Sequence, residues 1–276
     1  MLHGQRKRGH VKILAIDSSG LVASVAVVED DILISEYTTN YKKTHSQTLI
    51  PILDEIKQMT ELDLNSLDAI AVSAGPGSFT GLRIGSATAK GLGLALNKPL
   101  IGVPTVDALA MNLYGTDSLI CPLMDARRNQ VYTGVYTFES AAADGESCEQ
   151  KFGLKVLEEQ CVVPIEEIAE KVNQLSEGRS VVFLGDGVPV FRNRLRELIR
   201  VPFSFAPASC NRQRAAAVAL LAREYAAEGK LEEARDHVPE YLRPSQAERE
   251  RKEVQEKFGA REGDARMKRG ITRADS

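Results

Sequence analysis

The twelve residues 74–85 read AGPGSFTGLRIG, and they are the most informative stretch of the chain. The apolar residues 69–74 before the turn predict a short buried strand, and residues 82–96 after it predict a helix. Between them lies a glycine-rich turn in which Ser78 and Thr80 can cap the incoming helix. Free backbone N–H groups meet the positive end of a helix dipole at such a turn. The stretch therefore predicts either a tight structural turn or a phosphate-type site.

A second polar turn, of sequence DSSG, follows the predicted first strand at residues 11–16. Its carboxylate and hydroxyl groups could face a phosphate, although the same residues are ordinary turn formers. The glycine-rich loop has no lysine to add charge to a phosphate site. We therefore expect at most weak, degenerate nucleotide contacts, from Asp17, Ser18, Ser19, Gly75, Gly77, Ser78 and Thr80.

One pattern of strands and helices occurs twice along the chain. Residues 11–103 predict the order β-β-β-α-β-α-β, and residues 119–199 predict β-β-β-α-β-α, with a short third strand at residues 154–156. Asp17 and Asp125 end the first strands of the two halves, and a second glycine turn at 185–187 stands where the first turn stood. The pattern predicts an α/β protein of two duplicated halves with a cleft between them, where ligands commonly bind.

The bulk composition favours an ordinary globular protein of the cytoplasm. The net charge is −3, 43% of the residues are hydrophobic and 26% are charged. Strong unaided binding to nucleic acid usually needs a basic surface, and no apolar run approaches the roughly 20 residues that span a bilayer. The four cysteines show no Cys-x-x-Cys spacing, so we expect neither a zinc site nor a disulfide framework.

Composition also predicts where the segments of the chain begin and end. We expect a flexible basic leader over residues 1–10 and a charged, disordered tail over residues 244–276. Between them we expect an N-terminal subdomain over residues 11–108 and a C-terminal subdomain over residues 109–243. A helix at residues 212–228 could pack back on the first subdomain.

The residues offer no convincing catalytic set. There are only four histidines, and His45 is the one that lies within the predicted core. A metal hydrolase would need clustered histidine and carboxylate ligands, and a nucleophilic enzyme would need a base near its nucleophile. We therefore expect no metal site and no catalytic residues, and we expect His45 to pack, although a place in an interface stays open.

The helix at residues 82–96 is rich in glycine, alanine and serine. Glycine inside a helix costs about 1 kcal/mol relative to alanine, so the close approach of another backbone would explain its presence. That backbone could belong to the chain's own sheet or to a partner docked on this helix and on the amphipathic helix at residues 46–59. The predicted interface residues are Leu49, Ile52, Leu53, Ile56, Leu82, Arg83, Ser86, Ala89, Lys90 and Gly93.

Several motifs together resemble those of the bacterial TsaB (YeaZ) family. They are GPGSFTGLRIG at 75–85, IDSS at 16–19, THSQ at 44–47, PTVDAL at 104–109 and DARR at 125–128. The resemblance is strong over residues 11–138, weakens afterwards, returns at 185–187 and 239–243, and does not cover the charged tail. It implies an actin-like (ASKHA, ribonuclease-H-like) fold of duplicated β-β-β-α-β-α subdomains, in agreement with the repeat.

The resemblance also implies a function in the synthesis of N6-threonylcarbamoyladenosine at position 37 of tRNAs that read codons starting with A. In this family the chemistry belongs to the paralogue TsaD, with which TsaB pairs, and the ATPase TsaE joins them. The implied role is that of a non-catalytic subunit that meets tRNA through the complex and forms a homodimer when it is alone. No cofactor is then required by this chain, although weak ATP or ADP binding at the subunit interface stays open.

The chain departs from the catalytic paralogue where that protein carries a His-x-x-x-His metal motif. Thr105 and Leu109 hold those two positions here, and a leucine cannot ligate a metal. Two other functions remain as alternatives, a glycoprotease-like metalloprotease and a small-molecule kinase of the actin-like fold. Bound zinc or iron would favour the first alternative, and tight ATP binding with turnover would favour the second.

Overall fold

The computed structural model describes residues 10–41, 43–141 and 151–243. The predicted charged tail at residues 244–276 lies outside the described residues, as does all but the last residue of the predicted leader. No described helix is long and apolar enough to cross a membrane.

The first half of the chain folds into a five-stranded mixed sheet with helices. Its elements are β1 (Lys12–Asp17), β2 (Ala23–Glu29), β3 (Ile32–Thr39), α1 (His45–Met59), β4 (Ala69–Gly75), α2 (Phe79–Leu96), β5 (Leu100–Pro104) and α3 (Thr105–Ala110). The strands lie in the order β3-β2-β1-β4-β5. β1 pairs antiparallel with β2 and parallel with β4, as expected for a hairpin followed by a helical crossover.

The second half repeats this plan in a second five-stranded sheet. Its elements are β6 (Leu119–Asp125), β7 (Gln130–Ala141), β8 (Lys151–Pro164), α4 (Ile165–Leu175), β9 (Val181–Leu184), α5 (Val188–Leu198), β10 (Phe203–Phe205) and α6 (Ala215–Ala227). Its strand order, β8-β7-β6-β9-β10, matches that of the first sheet position by position. The predicted duplicated, actin-like α/β fold is therefore confirmed. Both sheets belong to one compact unit, and the subdomain boundary after residue 108 stays a prediction.

Three apolar clusters hold the layers together. Leu14 and Ile16 of β1 face a cluster that includes α1 and α2, whereas Ile13 and Ala15 face a central cluster. The central cluster contains α3, α6 and side chains of both sheets. The outer face of the second sheet packs against α4 and α5. Because side chains alternate along a strand, β1 supplies two clusters at once.

Two elements of the second half differ from the sequence-based expectation. β8 runs over fourteen residues, Lys151–Pro164, whereas the sequence predicted only a short strand near residues 154–156. β10 has three residues and was not predicted. Charged residues interrupt the apolar alternation of β8, and three residues are too few to give a periodic pattern. Both strands are held by pairing with a neighbour, β7 for β8 and β9 for β10.

Candidate functional site

The turn after β1 is closed by hydrogen bonds within the chain. Asp17 is 1% exposed, and its carboxylate accepts hydrogen bonds from the backbone N–H of Ser19 at 2.9 Å and from the hydroxyls of Ser19 and Ser73, both at 2.7 Å. Ser18 donates its hydroxyl to the carbonyl of Gly81 at 2.9 Å. Burial raises the pKa of Asp17 above its usual value, and these hydrogen bonds partly offset that rise.

The same turn covers the N-terminus of α2. The backbone N–H of Ser78 donates to the carbonyl of Ser19 at 2.7 Å, and a Cβ on Gly77 or Gly81 would collide with the carbonyl oxygens of this turn. Asp17, Ser18 and Ser19 are therefore all buried beneath the start of α2. The polar groups of these three residues bond to each other, to Ser73 and to α2, and their contact with a nucleotide stays a prediction.

The remaining predicted phosphate contacts lie at the rim of this turn. Gly75 adopts a positive φ of 127° and packs against the backbone carbonyl of Glu240, so no side chain fits there. Ser78 caps α2 by accepting a hydrogen bond from Gly81 N, and Thr80 is exposed. For Gly75, Gly77, Ser78 and Thr80 nucleotide binding stays a prediction.

His45 begins α1 and connects three elements. Its Nε2 lies 2.9 Å from the carbonyl oxygen of Gly20, and its ring packs on Gly81 at the start of α2. Its Nδ1 is shielded from solvent and has no partner among the described residues. His45 thus packs between α1, α2 and the turn after β1.

These contacts give a paired stability prediction for two glycines of α2. Gly81→Ala is expected to lower the free energy of unfolding by about 1–3 kcal/mol or more, because the new methyl group collides with the Ser18 carbonyl. Gly91→Ala is expected to raise it by up to about 1 kcal/mol, because a Cβ there meets no atom within 4 Å and alanine favours the helix. Urea unfolding of both variants checks this, and shifts of the same sign would contradict it.

The metal-motif positions of the catalytic paralogue lie in the core. Thr105 is 0% exposed and Leu109 is 1% exposed. Among the described residues no group of three or more histidine, cysteine or carboxylate side chains could hold a metal ion. Thr105 and Leu109 therefore pack the centre of the molecule.

Between these two positions the structure shows a polar pair that sequence reasoning missed. The hydroxyl of Tyr136, on β7, donates to the carboxylate of Asp107 at 2.7 Å. Burial raises the pKa of Asp107 to about 6, and the Tyr136 hydrogen bond opposes part of that rise. The motif PTVDAL marked Asp107 as a feature of the chain, but nothing in the sequence indicated its partner on a distant strand.

The turn after β6 is the counterpart of the turn after β1. Arg127, Arg128 and Asn129 all adopt positive φ, at 63°, 55° and 61°. The guanidinium of Arg127 pairs with Asp125 at 2.9 Å, and the half-buried carboxylate of Asp186 accepts a hydrogen bond from the backbone N–H of Asp125 at 3.2 Å. This second turn is likewise stabilised by hydrogen bonds within the chain.

Most of the predicted interface residues lie in the core. Eight of the ten are buried within the chain's own fold: Leu49, Ile52, Leu53, Ile56, Leu82, Ser86, Ala89 and Gly93. In the isolated chain these eight residues face its own core, and their contact with a partner stays a prediction. The apolar spacing that suggested an interface marks the core-facing side of each helix.

The side of α2 that faces solvent is a row of mostly small residues. Arg83, Ala87, Gly91 and Ala95 are exposed and recur every four residues, which defines a ridge along the helix; we call these four residues the α2 outer ridge. Leu94 beside it is 62% exposed. Neighbouring α1 packs against α2 and exposes apolar residues of its own, including Ile50 at 53% and Met59 at 77%.

The segment at residues 231–241, here called the strap, borders α2. Lys90 donates hydrogen bonds from Nζ to two strap carbonyls, of Arg235 at 2.8 Å and of His237 at 2.9 Å. Arg83 donates from Nε to the hydroxyl of Tyr241 at 3.3 Å. The two predicted interface residues that reach solvent, Arg83 and Lys90, therefore lie where α2 and the strap meet.

Comparisons with known proteins agree on one family. Residues 33–251 match a family model described as "TsaD: tRNA N6-adenosine threonylcarbamoyltransferase". The Bacillus subtilis tRNA threonylcarbamoyladenosine biosynthesis protein TsaB is 33% identical over 240 residues, which cover 86% of this chain and 96% of that protein. Its Escherichia coli counterpart is 31% identical over 60% of this chain and 68% of its own length. The solved structure of YeaZ from Pseudomonas aeruginosa is similar, with a TM-score of 0.68 and 26% identity over 84% of this chain and all of that one.

Proposed function

The chain belongs to the TsaB family, and on that premise we propose that it is the non-catalytic scaffold subunit of the complex that modifies adenosine 37 of tRNA. The reaction places a threonylcarbamoyl group on N6 of that adenosine in tRNAs that read codons starting with A. The catalytic paralogue, TsaD, pairs with this chain, the ATPase TsaE joins the pair, and tRNA meets the chain through the complex. The curated relatives are named for this biosynthesis.

The observation that carries the scaffold role is the α2 outer ridge. Three of its four residues are glycine or alanine, and nothing lies within 4 Å of the position that a Cβ on Gly91 would take. An exposed glycine in the middle of a helix weakens the helix, and a partner helix that approaches closely at this position accounts for it. Small residues let two helix axes approach, while Leu94 and Ile50 supply apolar area at the margins.

The interior of the chain agrees with a subunit that performs no chemistry. The carboxylate and hydroxyls of the turn after β1 are bonded within the chain, and Thr105 and Leu109 are buried where the paralogue carries metal ligands. A scaffold subunit needs a docking face, which the α2 outer ridge would provide on one side of the first sheet. It does not need reactive groups, and the polar turns of this chain are closed by their own hydrogen bonds. Homodimer formation without the paralogue, ATP or ADP binding at the subunit interface, and a place in the cytoplasm stay predictions.

Reconstitution of the reaction tests this proposal. The chain is mixed with TsaD, TsaE, the enzyme that forms the threonylcarbamoyl adenylate, unmodified tRNA, threonine, bicarbonate and ATP. Omitting the chain is expected to stop formation of the modified nucleoside, as measured by mass spectrometry of digested tRNA. The chain with tRNA and the adenylate, without TsaD, is expected to give no product.

Two controls make the result specific. The Gly91→Arg variant in place of the wild type separates docking from a general stimulating effect of added protein. Peptidase and kinase assays on the purified chain address the two alternative functions. Modification without the chain, or modification by the chain without TsaD, would overturn the scaffold role.

A further inference from the structure

Strand β3 lies at the edge of the first sheet and, within the part of the chain that the structure describes, pairs only with β2. An edge strand presents a row of backbone N–H and C=O groups that can pair with another strand. Proteins commonly protect such edges with lysine or proline, and the sequence ILISEYTT of β3 contains neither. The outer side of β3 is therefore open to pairing.

The only charged side chain of β3 is neutralised within the chain. The carboxylate of Glu36 accepts hydrogen bonds from the Arg214 guanidinium, at 3.0 Å for Nε, and from the backbone N–H of Ala216 at 3.0 Å. Two identical β3 edges therefore carry little like charge that would keep them apart. An edge of this kind suits pairing with a copy of itself.

Large apolar side chains are exposed along the same strand. Ile32, Leu33, Ile34 and Tyr37 are 40–64% exposed, and Tyr41 just beyond the strand is 72% exposed. Together these five expose on the order of 500 Å² if a fully exposed large side chain contributes roughly 200 Å². Pairing through part of this strand buries only a fraction of that area, so two copies would bury less than about 1,000 Å² in total, which is the size of a weak, reversible interface.

A bulge limits which residues can pair. The register of β3 with β2 shifts between Leu33 and Ser35, which leaves Ile34 as an extra residue. Residues 35–39 pair regularly with β2 and form the straight part of the edge. If this part pairs antiparallel with its own copy, Tyr37 lies opposite Tyr37 and Glu36 lies opposite Thr38. Aromatic residues face each other in that register, and like charges do not.

We propose that two copies of this chain associate reversibly through residues 35–39 of β3, with Tyr37 at the two-fold axis. The pairing joins two five-stranded sheets into one ten-stranded sheet, and the same surface patch serves on both copies. This interface lies on another element than the α2 outer ridge. It goes beyond the proposed function and does not depend on it.

Sedimentation equilibrium tests the proposal in a Gly91→Arg background, which removes the α2 outer ridge as a self-association surface. The mass is expected to rise from that of the 30.2 kDa chain towards twice that value with increasing concentration. Adding Tyr37→Lys is expected to weaken dimerisation at least tenfold, because it places two like charges at the axis. Adding Val190→Lys is the matched control, because Val190 is an apolar residue of α5 with 60% exposure, and it is expected to change nothing.

A crosslinking experiment tests the register independently. Residues opposite each other across an antiparallel pair have Cα atoms about 4.5–5.5 Å apart, which is within disulfide reach. Under mild oxidation Tyr37→Cys is expected to give a covalent dimer, whereas Val190→Cys is not. A monomeric Gly91→Arg protein at all concentrations would overturn the proposal and leave the edge to a partner of another kind. Dimerisation that survives Tyr37→Lys, or a dimer that Tyr37→Cys does not crosslink, would also overturn it.

Discussion

Gly91→Arg is expected to abolish binding of the chain to TsaD while its own fold stays intact. Gly91 lies within the α2 outer ridge, where an added Cβ meets no other part of the chain within 4 Å. In the proposed complex the same position faces a partner helix at close range, and an arginine there would hold the two helices apart. We expect the dissociation constant to rise at least about 100-fold, or about 3 kcal/mol. Isothermal titration calorimetry with purified TsaD measures this change.

Gly153→Arg is the matched control for this prediction. Gly153 lies on β8 of the second sheet, and a Cβ there also meets nothing within 4 Å. The same change of residue is therefore made in open space, away from the α2 outer ridge. Gly153→Arg should bind TsaD like the wild type, and both variants should unfold at the wild-type temperature. Wild-type affinity of the Gly91→Arg protein would exclude this ridge as the docking face.

The contrast with Gly93 explains why the choice of position matters. Gly93 is two residues further along α2, and a Cβ there would lie 2.5 Å from the Leu100 side chain and 2.7 Å from Ala234. A large charged residue at Gly93, Ala89 or Ser86 would disrupt packing rather than test docking, because all three positions are buried. Glycines therefore serve two purposes within this one helix. Gly93 lets the strap and β5 approach the helix, and Gly91 leaves the α2 outer ridge without a side chain at that position.

The fold could be predicted from sequence because its determinants are local. Side chains alternate along β1: Leu14 and Ile16 lie on one side of the sheet, and Ile13 and Ala15 lie on the other. This alternation is a pattern of adjacent residues. The glycine turn before α2 and the recurrence of the strand–helix order are equally local. These patterns predicted the two duplicated halves, and the topology confirms them.

The sites were harder to predict because they depend on which side of a helix or strand faces the chain's own core and which side faces solvent or a partner. The spacing of Leu49, Ile52, Leu53 and Ile56 correctly indicated an amphipathic helix, but an apolar face packs on the chain's own core before it packs on a partner. Glycines in α2 correctly indicated a close approach, and at Gly93 the approaching groups are the chain's own Leu100 and Ala234 side chains. Sequence spacing does not distinguish these cases, because both place the same residue types at the same intervals.

Asp107 and Tyr136 illustrate this limit of prediction from sequence most clearly, because 29 positions separate them along the chain.

The contact between Asp107 and Tyr136 also has a consequence for stability. Asp107→Asn is expected to stabilise the chain at neutral pH, and the gain is expected to shrink as the pH falls. Burial raises the pKa of Asp107 from 3.8 to about 6 in the folded state. The folded state therefore holds the proton more tightly than the unfolded state does, and ionisation of this carboxyl costs stability.

The sign and size of this effect follow from linkage between protonation and folding. Well below pH 3.8 the carboxyl is protonated in both states and costs nothing, and the cost then grows until the pH passes about 6. A difference of about two pKa units corresponds to about 3 kcal/mol at pH 7. Asparagine is neutral at every pH, and its amide oxygen can still accept the Tyr136 hydroxyl. Its buried NH₂ group needs partners, which reduces the gain by a constant amount.

Urea unfolding at pH 5.0 and pH 7.5 measures this dependence. The stability difference between Asp107→Asn and the wild type should increase by at least about 1 kcal/mol between the two conditions. Tyr136→Phe provides the opposing control, because loss of the donated hydrogen bond should raise the pKa of Asp107 further and steepen the decline of stability with pH. A stability difference that is the same at both pH values would mean that Asp107 ionises as readily in the folded chain as in the unfolded one. In that case the buried carboxyl between α3 and β7 would be no source of pH dependence.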